Sequence, residues 1–120
     1  MWVFKILYVL VRNQLFLKPA AWGAARALRR EIRSLGFSPK SLQLWLGLSE
    51  AKDLNVMVFF RTDSDLADFK NSNNPDLLAR HFTKHLSGTL YPATAAPQVK
   101  VRFFSHEDVI RGGGYWHYFN

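Results

Sequence analysis

The sequence predicts an α+β domain in the order β-α-β-β-α-β. This is the split-βαβ order of ferredoxin-like folds, here followed by a short C-terminal helix and an aromatic tail or edge strand. Three observations predict it. Residues 2–11 are rich in Val, Ile and aromatics on both alternating sets of positions. Two segments carry helical spacing with start and stop residues. Two further strand segments, 42–48 with alternating residues and 54–61 apolar on both sides, are separated by a polar stretch of hairpin length. If residues 2–11 are helical instead, the prediction falls back to a three-stranded α+β sheet with an N-terminal helix.

Residues 2–11 place Trp2, Phe4, Ile6, Tyr8 and Leu10 against Val3, Lys5, Leu7, Val9 and Val11. Apolar residues on both sides suit a buried central strand. Lys5 interrupts the run and Arg12 closes it, leaving it far short of the ~20 residues of a spanning helix. No basic stretch precedes it and no small-residue cleavage pattern follows, so it reads as folded structure rather than a signal peptide. A segment lying on a membrane surface is the lesser alternative.

A helix is expected over about 19–35. Pro19 suits its first turn, where a missing N–H costs nothing. Trp22, Ala25, Leu28, Ile32 and Leu35 recur at threes and fours, and Gly36 follows as the stop. Ser38-Pro39 turns the chain. Leu42, Leu44, Leu46 and Leu48 then alternate with Ser41, Gln43, Trp45 and Gly47. Residues 49–53 make the hairpin, and 54–61 form a strand apolar on both sides.

Residues 62–74 are polar, with a single helical turn at 66–69. Asn74-Pro75-Asp76 is a helix start: a capping side chain, a proline at the first position and an acid in the first turn. That helix runs to about Leu86, with Gly88 to end it. After a loop over 87–97 comes a strand over 98–104, with Val99, Val101 and Phe103 on one side and Lys100 and Arg102 on the other. Ser105 and Asp108 have capping-box spacing, so a short helix to Arg111 is expected. Gly112, Gly113 and Gly114 end it, and Tyr115, Trp116, His117, Tyr118 and Phe119 follow.

A chain of 120 residues that is 48% hydrophobic makes one domain, residues 1–120, and fills its own core. It has no cysteine, which excludes disulfides, thiolate metal sites and cysteine nucleophiles. A cytoplasmic location fits that absence. There is no lysine-bearing phosphate loop, dinucleotide fingerprint, nucleophile elbow or RNA-recognition sheet motif.

The net charge is +7 and it is uneven. Residues 1–50 hold eight Lys/Arg and two acids, and residues 51–120 hold eight and seven. Arg26, Arg29, Arg30 and Arg33 are spaced 3, 1 and 3 apart, which gathers them within about 100° of helix arc. Such a row suits phosphates or an acidic surface, and Lys100 and Arg102 are expected to extend it. Tyr115, Trp116 and Tyr118 are the candidate aromatic contacts, for bases or for a partner protein.

His81 and His85 stand four apart on one helix side, a spacing that can present two imidazoles to one metal. His106, Glu107, Asp108 or His117 would have to supply a third ligand. The same histidines could serve a metal-free ribonuclease. His81 or His85 would pair with His106 or His117, with Arg111 or Lys84 beside the phosphate. Neither pattern is specific, so no metal, cofactor or catalytic residue is assigned. The sequence reads first as a small basic module that works by binding nucleic acid. A protein-interaction module, such as an inhibitor or immunity-type partner of an acidic protein, is the second reading, and the ribonuclease the third. No spanning membrane segment is expected, and a sheet edge could pair two copies.

Overall fold

The computed structural model describes residues 2–46 and 50–114. It contains a three-stranded mixed sheet and five α-helices among those residues. The order is α1 (Trp2–Arg12), a π-helical turn (Asn13–Leu17), α2 (Lys18–Ser34), β1 (Ser41–Trp45), β2 (Asn55–Phe60), α3 (Asp63–Ser72), α4 (Pro75–Ser87), β3 (Lys100–Ser105) and α5 (His106–Arg111).

The segment expected as a first strand is a helix, and the split-βαβ order fails with it. The reason lies in its two cations. In a central strand Lys5 would carry its charge into a buried layer, with Arg12 just past the end. On a helix, seven residues bring them within about 20° of each other, with Tyr8 close by. The helix also closes its backbone hydrogen bonds without neighbouring strands. The fallback architecture is the one observed. β3 therefore pairs directly with β2, at the place the missing strand would have taken.

α1 runs through the π turn into α2, with helical backbone angles at both junctions. The Lys18 N–H bonds to Asn13 O, the five-residue step of a π turn. Pro19 explains the widening: its ring has no N–H and crowds the carbonyl four residues back, which a wider turn relieves. Residues 2–34 thus form one helical rod of about 50 Å at 1.5 Å per residue, matching the molecule's longest extent of 50 Å. α2 ends where expected. Gly36 takes a φ of +92°, and the N–H groups of Gly36 and Phe37 bond back to Arg33 and Ile32. Its buried face is narrower and smaller than expected: Ala21, Ala24, Ala25, Leu28 and Ile32 are buried, while Trp22 and Leu35 are exposed.

β1 and β2 are antiparallel, with Leu42 opposite Val58 and Leu44 opposite Val56. β2 and β3 are parallel, with Val58 beside Phe103 and Met57 beside Arg102. α3 and α4 make the crossover between them. α3 is a full helix of ten residues where a single turn was expected. Thr62 caps it by accepting from the Asp65 N–H at 3.0 Å. Asn74 caps α4 as expected, accepting from Asp76 N–H at 3.0 Å and Leu77 N–H at 3.3 Å.

Pleating divides the sheet. Val56, Val58, Phe60 and Phe103 pack with α2 and α4 in the main core. Met57, Phe59 and Phe104 lie on the other side with Val109 of α5. Phe69 of α3 is fully buried and touches the rings of Phe37, Phe60 and Phe103 at centroid distances of 5.4, 4.8 and 5.1 Å. That aromatic cluster pins α3 against the sheet.

Candidate functional site

α2 sits on the main-core side of the sheet with its alanine face inward, so its opposite face points to solvent. Arg26, Arg30 and Arg33 are exposed there. Arg29 is half-buried, and its Nε is enclosed without a hydrogen-bond partner. The one acid of this helix, Glu31, points to another side and meets His81 of α4, with Oε1 2.7 Å from Nδ1. Among the described residues, no ion pair engages any of the four arginines. Three guanidinium groups thus stand in water in one row, rising about 10 Å along the axis from Arg26 to Arg33.

Lys100 and Arg102 do not extend this row. Phe103 faces the core under α2, so its neighbours on β3 point to the opposite side of the sheet. Arg102 is also engaged: Nη2 donates to Asn55 Oδ1 at 3.1 Å, and the guanidinium lies 5.7 Å from the Phe104 ring centroid. Tyr115, Trp116, His117 and Tyr118 lie outside the described residues.

The histidines separate. His81 and His85 line a groove of about 600 Å³ between α2 and α4, floored by Ala24, Leu28 and Phe82. Glu31 and Lys84 share that lining, and His106 does not. The Glu31 carboxylate fixes the orientation of the His81 ring through Nδ1. Among the described residues, no three His, Cys, Asp or Glu side chains come together as a metal site.

Arg111, a candidate phosphate partner, is instead held by carboxylates. Its Nη1 donates to Asp63 Oδ2 at 2.7 Å and its Nη2 to Asp108 Oδ1 at 3.0 Å. Ser105 Oγ donates to the other oxygen of Asp63 and caps α5 by accepting from the Asp108 N–H. Glu107 accepts from the Asp63 backbone N–H at 2.8 Å. The Arg111 guanidinium, and after it the Ser105 hydroxyl, holds the Asp63 carboxyl below its usual range. Asp63, and after it Asp108, push Arg111 further up. This clasp ties the start of α3 to α5. Sequence reasoning missed it because its partners lie more than forty residues apart.

No family model, curated protein or solved structure matches this chain.

A second surface stands out. α1 buries no side chain, although eight of its eleven residues are apolar. Trp2 is 71% exposed, Phe4 73% and Tyr8 67%. Leu15 and Phe16 continue the exposed surface into the π turn. Soluble chains rarely leave so much contiguous apolar surface in water without a use for it. The sequence did carry a signal for it, in the apolar residues on both alternating sets of positions over 2–11. Among the described residues, no helix is long and apolar enough to cross a membrane.

Proposed function

We propose that this chain is a small binding module whose α2 arginine row grips a polyanion, with nucleic acid as the first candidate. The observation that supports the reading is the row itself: Arg26, Arg30 and Arg33 exposed on one arc, with no acid of the described residues paired to them. A guanidinium presents its donors in a planar fork that matches phosphate oxygens. The row rises about 10 Å, roughly three steps of a nucleic-acid strand at 3.4 Å each. Arg29 flanks the row half-buried, its Nε enclosed without a hydrogen-bond partner. Phosphate contacts of this kind position a module on a backbone without reading sequence.

Salt dependence tests it. Three phosphate contacts give log K a slope against log salt of about −2.7 on duplex DNA, from −0.9 per contact. Replacing Arg26, Arg29, Arg30 and Arg33 together by glutamine should flatten that slope towards zero, with the fold unchanged, in fluorescence anisotropy of a labelled duplex. Unchanged affinity in the quadruple variant would remove the proposal. A shallow slope in the unaltered chain, with tight capture of an acidic protein, would move it to the protein-partner reading.

A further inference from the structure

The arginine row leaves the most unusual surface of the molecule unused. We propose that α1 is an interfacial anchor that lays its apolar arc into a bilayer bearing anionic headgroups. The argument rests on the helix's circumference, its charge and its place in the rod.

At 100° per residue, Lys5, Tyr8 and Arg12 share an arc of about 60°. Trp2, Val3, Phe4, Ile6, Leu7, Val9, Leu10 and Val11 spread over roughly 220° on the other side. A protein partner does not suit that distribution. A helix that pairs with a second copy carries an apolar seam of two positions in seven, and one that docks in a groove carries about 100°. Either partner would leave half of α1's apolar surface in water. A bilayer interface takes up the whole apolar face of a helix lying in its plane, to a depth of about 5–10 Å, and leaves the polar stripe towards water.

Charge complementarity names the headgroups. Residues 2–18 contain Lys5, Arg12 and Lys18, and no acid. Lys5 stands within the stripe, where its long stem can lie along the apolar arc while the ammonium reaches headgroup phosphates. Arg12 stands at the exit. Immediately after it the rod enters the folded domain, with Asn13 and Leu17 buried. Trp2 and Tyr8 have the amphipathic rings that favour the boundary between headgroups and acyl chains. Nucleic acid has no complementary apolar surface, so this site is separate from the arginine row.

Vesicle flotation of the full chain tests the anchor, on phosphatidylcholine alone and on phosphatidylcholine with 30% phosphatidylglycerol. The unaltered chain should float with the anionic vesicles, with Trp fluorescence shifted to the blue. Neutralising Lys5→Gln with Arg12→Gln should weaken that partitioning about 25-fold, five-fold per cation. Phe4→Ser, Leu7→Ser and Leu10→Ser together should abolish flotation on both vesicles, while circular dichroism and Tm stay unchanged because none of the three is buried. Retained flotation in the triple variant would overturn the anchor and assign binding to the arginine row. Absence of flotation in the unaltered chain, with or without a dimer in sedimentation, would overturn it as well. Equal partitioning onto both vesicles would overturn the anionic preference.

Discussion

α1 and α2 are two stretches of one helical rod, and they treat apolar residues in opposite ways. α2 buries Ala21, Ala24, Ala25, Leu28 and Ile32, a face of mostly small residues that lets it lie close to the sheet and to α4. α1 carries Trp, Phe, Ile, Leu and Tyr and buries none of them. By size alone, α1 has more to gain from burial. The difference lies in the neighbours: α2 has a sheet beneath it, and α1 has none. Apolar composition reports a demand for burial, and only the rest of the fold says whether the domain itself meets that demand. In α1 it does not, so the demand points outward.

The largest expected effects lie on the packed side of this contrast. Phe69→Ala removes the ring that joins Phe37, Phe60 and Phe103 and should cost about 3–5 kcal/mol. Ile32→Ala, beneath α2, should cost about 2–5 kcal/mol. Denaturant unfolding with an unchanged m-value measures both. Losses below about 1 kcal/mol would mean that the core under α2 is far looser than its burial indicates, and the contrast with α1 would disappear.

The border between the two regions offers a test by pH. Tyr91 is buried, its hydroxyl donates to the Ala51 carbonyl, and the charge of Arg12 acts on it from the end of α1. Burial pushes the phenol up to about 12, against a partial opposing pull from Arg12. A raised acid pKa in the folded state stabilises the fold below the unfolded value. Stability should therefore hold up to about pH 10 and fall between pH 10 and 12, as the unfolded chain releases the proton that the fold retains. Two pH units amount to about 3 kcal/mol. Tyr91→Phe should remove this alkaline limb. Persistence of the limb in that variant would assign it to the lysines.

The contrast also shows what a sequence exposes to reading. Signals confined to one turn were legible: Asn74-Pro75-Asp76 opening α4, Ser105 opening α5, Gly36 ending α2. The arginine row was legible because it needs only the helical period. Over residues 2–11 apolar residues on both alternating sets fit strand and helix alike, and the seven-residue step from Lys5 to Arg12 is the helical signal. α3 is faint in the sequence because it buries one residue, Phe69, and its local signal is the Thr62 cap alone. Nothing local states that β3 pairs with β2, that Arg102 faces away from α2, or that Glu31 meets His81 fifty residues on. Such facts belong to the packing of distant segments.

The smallest expected effect is the most telling. Phe4→Ser replaces a large apolar side chain by a small polar one, in a helix whose composition reads as core. In a packed helix such a change costs several kcal/mol. Here Phe4 is 73% exposed and loses no buried contact, so unfolding stability should change by no more than about 0.5 kcal/mol. Solubility should rise as apolar surface leaves the water. A stability loss of 2 kcal/mol or more would mean that α1 packs against its own domain or a second copy in solution. The apolar arc would then already be satisfied, and its need for a bilayer would vanish with it.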